Sequence, residues 1–378
     1  MTAQQKMTSH GISGFIREEW FLGVSLVTSL VFLLSGKTLF QGLANPLWLG
    51  LIFAWLFIVV LGSAVCVVRH ADHLAERLGE PYGTLILTLS VTSIEVMSIS
   101  AVMMHGANNP TLVRDTLFSV VMIILNGMVG LSLLVGAWRH REQHYNLQGA
   151  NAYLGVIIPL AVLSLVLPNF TKTTFGPTLS LSQGIFLILS SVSLYSAFLA
   201  MQTSRHRAYF TLGDIAVEHP AGRAHAAPRA LTSHIVLLAL YMLPVVFLAE
   251  QLAHPVDYLI ETLQMPATLG GMIMAVLVAT PEAIGAVRAA NADDLQRSMN
   301  IFLGSVLSTI GLTVPAMLTI GYLSGREITL GLQNTDFVML LLTLAVSVVT
   351  FSSGRTNVLQ GAVHLILFAA FLLLIFQG

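Results

Sequence analysis

Charged residues are scarce in this chain of 378 residues: they make up only 9% of it, whereas hydrophobic residues make up 55%. A soluble globular domain carries about 25% charged residues. Most of the chain must therefore face lipid or other apolar helices. The net charge of −1 gives no reason to expect a nucleic-acid partner.

Cysteine is almost absent as well. The single cysteine, Cys66, lies inside an apolar run, which excludes a disulfide or a CxxC metal site within the chain. The first residues, 1–19, are polar and lack the compact apolar core and the small-residue cleavage site of a signal peptide. The first apolar run is therefore expected to remain in the mature protein.

Common catalytic motifs are also missing. The chain has no HExxH and no Gly-x-Ser-x-Gly sequence, and no paired aspartates lie within its apolar runs. An intramembrane hydrolase is therefore a weak alternative, and we expect neither an enzyme nor a cofactor.

Eleven apolar runs are long enough to cross a membrane. A spanning helix needs about 20 mainly apolar residues, because each residue rises about 1.5 Å through a core of about 30 Å. The runs are too long for the ~10-residue alternating strands of a barrel. We therefore predict an all-α polytopic membrane protein. The predicted spans are 19–36, 46–68, 82–104, 116–138, 151–170, 179–201, 232–253, 266–290, 297–322, 336–352 and 356–376.

Basic residues are divided unevenly between the loops. Thirteen of the 17 lysines and arginines lie in the N-terminal tail or in loops that follow even-numbered spans. Because basic residues are enriched in cytoplasmic loops, we predict a cytoplasmic N-terminus. Eleven spans then place the C-terminus in the periplasm of a bacterium, with the chain in the inner membrane.

The order of the spans predicts an inverted repeat. After a tail and an extra span (1–45), five spans (46–201) precede a polar segment (202–231) and five follow it (232–378). The two groups of five start on opposite sides of the membrane, which is a common transporter plan with an ion site near the midplane. The polar segment is predicted to be a cytoplasmic linker.

Each predicted repeat has one glutamate near the middle of its second span, Glu95 in the first and Glu282 in the second. An ionised carboxylate at the bilayer centre costs several kcal/mol, so such a residue faces the protein interior and is a functional-site candidate. A serine follows each glutamate at nearly the same spacing, Ser119 in the first repeat and Ser305 in the second. The alternative is a protonated glutamate bonded to a neighbouring helix, which explains two matching positions less well.

The surroundings of the glutamates favour a hard cation, because Ca²⁺ and Na⁺ prefer oxygen ligands. Pro281 also frees a backbone carbonyl one turn earlier in its helix. Burial favours the protonated carboxyl and a bound cation favours the charged form, so protons and cations are expected to compete for Glu95 and Glu282. The supporting ligands predicted beside them are Ser90, Thr92, Ser93, Ala279 and Thr280.

Four other polar residues are candidates for an entry or proton path. His105 and Glu250 lie near the outer ends of spans three and seven, and Asp293 and Asp294 follow span eight on the cytoplasmic side. Simpler readings remain open for all four: an interfacial position for the first two, and a turn with a helix cap for the aspartates.

Four histidines lie in or beside apolar runs. His70 and His73 belong to RHADHLAERLGE (69–80), which we predict to be a short interfacial helix with solvated charges rather than a metal site. His234 and His364 are predicted to be hydrogen-bond partners between helices.

Five segments carry a family likeness: VVRHADHLAERLGEPYGTLIL (67–87), PTLVRDTLFSVVMII (110–124), ATPEAIGAVRAA (279–290), QRSMNIFLGSVLSTIGLTVP (296–315) and FSSGRTNVLQGAVHL (351–365). They resemble the calcium/cation antiporter superfamily, and specifically the bacterial ChaA-type calcium(sodium)/proton antiporters. The resemblance implies two α-repeat regions, 82–138 and 266–322, that enclose the ion site with Glu95 and Glu282 as its acidic ligands.

The resemblance also implies polar ligands in the span that follows each glutamate. The second half supplies Ser305 and Thr309, whereas the first supplies Ser119 and then mostly aliphatic residues as far as Asn126. The ligand set of a several-ion exchanger is thus incomplete, which favours proton exchange at a sparse site.

Together these features predict a secondary active antiporter that extrudes Ca²⁺, Na⁺ or both, with K⁺ as a third candidate, in exchange for H⁺ by alternating access. Its partners would be inorganic cations, protons and the lipid bilayer. A passive cation channel is the main alternative. Channels commonly build filters by oligomer symmetry or charged rings, whereas two unequal halves with one glutamate each favour alternating access.

Overall fold

The computed structural model describes residues 17–78, 82–105, 109–174, 176–212 and 231–377. Within these residues, ten helices are long and apolar enough to span a membrane, and an eleventh is an apolar helix of 17 residues. The predicted all-α polytopic membrane architecture is confirmed. The helices are α1 (Trp20–Phe40), α2 (Pro46–Leu78), α3 (Tyr82–Met104), α4 (Leu112–His140), α5 (Leu147–Phe170), α6 (Leu181–Arg205), α7 (Leu231–Thr262), α8 (Thr268–Asn291), α9 (Leu295–Ser324), α10 (Asn334–Thr350) and α11 (Val358–Gln377).

Among the described residues, the loops after α4, α6, α8 and α10 meet at one end of the molecule. Those after α4 and α10 pair as two short antiparallel strands, β1 (Gln143–His144) and β2 (Arg355–Thr356). Asn146, which follows β1, donates to the carbonyl of Ala208 after α6 at 2.9 Å. We call this end the arginine-rich side. Of the predicted linker, residues 213–230 lie outside the described residues.

The loops after the odd-numbered helices α3, α5 and α9 bond to one another instead. The backbone N–H of Thr329 donates to the carbonyl of Pro110 at 2.8 Å, and that of Gly331 donates to the carbonyl of Pro177 at 3.1 Å. The two sets of loops thus form two separate ends, as eleven successive crossings require.

The charged segment after residue 68 does not form a separate interfacial helix, so that part of the prediction was wrong, although charged residues within it, such as Asp72, are exposed as predicted. α2 continues to Leu78, and His70 is only 1% exposed. The Nδ1 atom of His70 lies 3.1 Å from Nδ1 of His234 on α7, and Arg69 donates to the Glu19 carboxylate before α1 at 2.6 Å. A carboxylate at the N-cap of α1 and a histidine of α7 therefore satisfy the polar groups that α2 buries.

Two glycines let neighbouring helices approach α4 closely. A Cβ atom at Gly271 of α8 would lie 2.6 Å from the backbone of Asp115, and one at Gly361 of α11 would lie 2.7 Å from the backbone nitrogen of Leu134. Small residues at such crossings are typical of membrane helices, whose association depends on close packing. α4 is accordingly enclosed by its neighbours, and every residue from Leu112 to Met122 is buried.

Helices α4 and α9 each contain a π turn near the middle, at Ile123–Met128 and Thr309–Thr313. Each π turn lies in the helix that follows a central glutamate, and the two begin at nearly the same spacing after Glu95 and Glu282. π turns are rare and occur frequently at functional sites. Their matching positions draw attention to the polar residues that they carry.

The polar residue in the π turn of α4, Asn126, is held by α10 and α11. Its Nδ2 donates to Thr343 Oγ1 at 2.8 Å, and its Oδ1 lies 3.3 Å from Nδ1 of His364. The Nε2 atom of His364 lies 2.9 Å from Thr350 Oγ1. The prediction that His364 is an interhelical partner is confirmed, and the bond to His70 confirms the same prediction for His234.

Candidate ion-binding site

Glu95 of α3 lies in the interior of the protein and is only 1% exposed. Its Oε2 atom accepts hydrogen bonds from two hydroxyl groups of α9, from Thr313 at 2.6 Å and from Thr309 at 3.2 Å. Hydrogen-bond donors stabilise the charged form of a carboxylate that is removed from water. The helix after the second glutamate thus supports the first one.

Glu282 of α8 is bonded to the same helix. The hydroxyl group of Ser305 donates to Oε2 of Glu282. Because Ser305 and Thr309 are four residues apart, they lie on one face of α9. One turn of α9 therefore brings the two glutamates of the predicted repeats into a single site.

Three hydroxyl residues, Ser305, Thr309 and Thr313, follow one another at intervals of four along α9. The first two were predicted as ligands, and Thr313 was missed. The i, i+4 spacing continues from Ser305 through Thr309 to Thr313, so the signal was present in the sequence. The π turn that begins at Thr309 changes the local helix geometry where both threonines bond to Glu95.

Two buried oxygen atoms of α3 have no hydrogen-bond partner among the described residues. They are Oε1 of Glu95 and Oγ1 of Thr92, one turn earlier on the same helix. Buried polar atoms are normally satisfied. Carboxylate and hydroxyl oxygens are the ligands that hard cations prefer. A hard cation, or a proton carried by water, therefore fits as the partner of these two oxygen atoms.

The other predicted ligands do not bond to either glutamate among the described residues. Ser119 and Ala279 are buried, Ser90 is 9% exposed, and Ser93 is half-buried. Thr280 donates to the carbonyl of Val276 in its own helix at 2.6 Å. Their places beside α3, α4 and α8 are as predicted, but their roles as ligands stay predictions.

A cavity of about 360 Å³ extends from Glu282 towards the arginine-rich side. We call it the inner cavity. Its wall includes Ser305 near the glutamate and Arg207 and Arg297 near the loops. Glu282 is half-buried because it lines this cavity, whereas Glu95 is not among the lining residues.

A second cavity of about 290 Å³ lies at the opposite end, and we call it the outer cavity. His105, Asp257 and Glu261 contribute to its wall, and neither Glu95 nor Glu282 does. Of these two cavities of the described structure, the inner one alone reaches either of the two central glutamates.

Of the four residues predicted for an entry or proton path, His105 alone lines one of these two cavities of the described structure. Glu250 is half-buried on α7 and lines neither cavity. Asp294 caps α9 by accepting from the backbone N–H of Arg297 at 3.0 Å, and Asp293 accepts from Gln143 Nε2 at 3.0 Å. The two aspartates thus lie in a helix cap and a turn, as the simpler of the two interpretations of the sequence expects.

Comparison with known proteins identifies the family. Residues 48–204 and 233–377 match the sodium/calcium exchanger protein family, which covers both halves of the chain. The chain belongs to this family. As a sodium/calcium exchanger family member it is a membrane transport protein and not an enzyme.

Two bacterial relatives within the sodium/calcium exchanger family are similar over most of the chain. The sodium-potassium/proton antiporter ChaA of Escherichia coli strain K12 is 40% identical over 84% of this chain and 86% of its own length. A protein of Sinorhizobium fredii, y4hA, inferred to be an ionic transporter, is 44% identical over the same shares.

The solved structure of YfkE has the same fold as this chain. It superposes with a TM-score of 0.73 at 18% identity and covers 95% of this chain and 100% of YfkE. At this identity the similarity supports the fold alone.

Proposed function

We propose that the chain is a secondary active antiporter that exports Ca²⁺ or Na⁺ in exchange for H⁺. The observation that carries the proposal is the pair of intramembrane glutamates, Glu95 and Glu282, held by adjacent turns of α9 and approached by a cavity from one side. The Escherichia coli relative, named a sodium-potassium/proton antiporter, supports an exchange of small cations for protons.

Cations and protons compete for the two carboxylates in this proposal. Two neighbouring carboxylates with little access to water are unfavourable as free charges. One Ca²⁺ neutralises both carboxylates, one Na⁺ neutralises one of them while a proton neutralises the other, and two protons neutralise them separately. Each of these neutral forms can pass between the inward-open and outward-open states, whereas the doubly charged empty site cannot, so cation and proton movements are coupled.

Alternating access connects the site to the inner and the outer cavity in turn. In this state Glu282 lines the inner cavity, and neither glutamate lines the outer cavity, whose wall includes His105 and Asp257. Closing the inner cavity and opening the outer one would expose the same carboxylates to the other solution. One site reached from each side in turn is the requirement for exchange rather than leak.

The inverted repeat, 46–201 and 232–378, supplies the two opposed halves for this movement. The matching positions of the π turns in α4 and α9 support this division. The extra span within 1–45 and the linker 202–231 lie outside the repeat.

The site is suited to one ion at a time. Hydroxyl donors reach the glutamates from α9, while Asn126 on α4 bonds to Thr343 and His364 instead. Two carboxylates balance the charge of one Ca²⁺, so we rank Ca²⁺ first, Na⁺ second and K⁺ third.

The membrane is the inner membrane of a bacterium, and the arginine-rich side is cytoplasmic. The excess of basic residues at that end supports this orientation. The N-terminus is then cytoplasmic and the C-terminus periplasmic.

Transport in everted membrane vesicles tests the proposal. Vesicles with an acidic interior should lose their pH gradient when Ca²⁺ or Na⁺ is added, and parallel samples with K⁺ rank the three cations. Glu95→Gln and Glu282→Gln should each abolish the response while the protein is still present and folded. Glu250→Gln, which removes an intramembrane carboxylate that lines neither cavity, is the matched control.

Two results would contradict the proposal. Exchange retained in both Glu95→Gln and Glu282→Gln would show that the carboxylates are not the coupling site. Large single-channel currents in a planar bilayer would show a passive cation channel instead of an antiporter.

A further inference from the structure

Two arginines, Arg207 and Arg297, line the inner cavity between Glu282 and the loops. Arg207 begins a 3-10 turn just after α6, Arg207–Phe210, and Arg297 lies in the first turn of α9. Both side chains are exposed, and neither forms an ion pair with a carboxylate in the described part of the chain. The approach to a cation site therefore carries two positive charges.

The arginines act on the ion site from a distance. Arg297 precedes Ser305, the hydroxyl donor to Glu282, by eight residues of α9. At a rise of about 1.5 Å per residue, its backbone lies about 12 Å away along the helix. The other charged residues in the cavity wall are Asp72, which is exposed, and Glu282 itself. Two positive charges thus accompany one acidic residue, Asp72, on the approach to the site.

The outer cavity has the opposite charge. Asp257 and Glu261, four residues apart on α7, both line this cavity together with His105. None of the described residues in its wall is a lysine or an arginine. A cation therefore meets an excess of positive charge in the cavity at the arginine-rich side and an excess of negative charge in the cavity at the other end.

The effect of a fixed charge on a cation depends on the valence of the cation. A positive charge raises the free energy of a cation in the cavity in proportion to the charge of that cation. The factor by which an arginine weakens cation entry is therefore squared for Ca²⁺ relative to Na⁺ or K⁺. Fixed arginines also serve as electrostatic barriers to cations in membrane pores.

We propose that Arg207 and Arg297 are specificity-determining residues that oppose cation entry into the inner cavity according to valence, and so favour Na⁺ and K⁺ relative to Ca²⁺. The inference rests on the proposed antiport function and deepens it. The two glutamates rank the cations at the site, and the arginines narrow that ranking on the way to it. Valence, rather than ion size, is the property on which the arginines act.

The KM for each cation in everted vesicles, where added cations reach the arginine-rich side, tests the inference. At an ionic strength of about 0.01 M, a unit charge about 12 Å away in water changes the affinity for a monovalent cation about twofold. Arg297→Gln should therefore lower the KM about twofold for Na⁺ and K⁺ and about fourfold for Ca²⁺. Arg207→Gln should lower the three KM values in the same pattern.

The conditions of this assay isolate the charge effect. The measurements are made at alkaline pH, where protons compete least with the cations. At an ionic strength of about 0.15 M the Debye length falls to about 8 Å, so the differences between Arg297→Gln and the unchanged protein should shrink.

Two variants serve as controls. Arg297→Lys keeps the positive charge and should leave all three KM values unchanged. Arg141→Gln removes an exposed arginine of the same end that lines neither cavity, and it should also leave them unchanged. A KM lowered by the same factor for Na⁺ and Ca²⁺ in Arg297→Gln, or not lowered at all, would overturn the inference. An equal change in Arg297→Lys would overturn it as well.

Thiol labelling tests the charge of the inner cavity without transport. Gly285 lines this cavity, so Gly285→Cys in a Cys66→Ser background can react with thiol reagents of either charge. Arg297→Gln should raise the rate with a cationic reagent relative to the rate with an anionic one, and an unchanged ratio would overturn the inference. Absence of exchange in the unchanged protein would contradict the proposed function, while this ratio would still decide whether the arginines repel cations.

Discussion

Gly285 and Gly270 lie on the same helix, α8, and line opposite cavities. Gly285 contributes to the inner cavity beside Glu282, and Gly270 contributes to the outer cavity. At a rise of about 1.5 Å per residue they are about 22 Å apart along the helix, which is most of the ~30 Å hydrocarbon core. A cysteine at each position therefore reports access from one side of the membrane.

The structure has room for both cysteines. A Cβ atom at Gly285 would lie 3.6 Å from Cδ1 of Ile301, and one at Gly270 would lie 3.3 Å from Cδ1 of Ile260, the end of a flexible side chain. Cys66 is the single natural cysteine, so Cys66→Ser supplies a background without thiols.

The assay uses a charged thiol reagent that does not cross membranes, added to intact cells or to everted vesicles. We expect Gly285→Cys to react in everted vesicles and to be protected in intact cells, and Gly270→Cys to show the reverse. Gly155→Cys on α5, where a Cβ atom meets nothing within 4 Å and the residue is exposed on the helix surface well inside the span, is a control that should react in neither sample.

Labelling of Gly285→Cys at equal rates from both sides would refute this reasoning, because it would require a continuous aqueous path past Glu282. Reaction of Gly285→Cys only in intact cells would refute the orientation, because the arginine-rich side would then be periplasmic.

Three further substitutions test individual contacts. Ser305→Ala removes the donor to Glu282, a type of bond that contributes about 1.5–3 kcal/mol, so the KM for the cation near neutral pH should rise about tenfold or more. Ser308→Ala, which removes a bond to a backbone carbonyl, is the control and should have little effect on KM. An unchanged KM in Ser305→Ala would contradict the assignment of the site. Gly271→Ala should destabilise the purified protein by about 1–3 kcal/mol through contact with α4, seen as a lower melting temperature, whereas Gly155→Ala, with nothing within 4 Å, should not. His364→Leu should lower the melting temperature by leaving buried partners unsatisfied at about 1–3 kcal/mol without moving the pH profile of exchange; a shifted profile would show that the histidine takes part in proton transfer.

The number of spans and the two central glutamates could be predicted from the sequence, because the bilayer imposes both. Helix length follows from membrane thickness, and a carboxylate within an apolar run must face the interior. These constraints act within one segment at a time. They need no knowledge of which helices are neighbours.

The partners of polar residues could not be predicted, because they come from distant segments. His70 was interpreted as solvated, yet its partner His234 is 164 residues away. Asn126 looked like the next polar residue available to the ion site, but α10 and α11 hold its amide. Thr313 is different, since its spacing from Thr309 was visible and only its bond to Glu95 was not.

Proton release on cation binding tests the central claim most directly. Purified protein in weakly buffered detergent solution, with a pH-sensitive dye, should acidify the solution when Ca²⁺ or Na⁺ is added, because the cation displaces protons from Glu95 and Glu282. The double variant Glu95→Gln, Glu282→Gln should release none, and Glu250→Gln should release as many as the unchanged protein. Cation binding without proton release, or an undiminished release in the double variant, would contradict the claim that cations and protons share these two carboxylates.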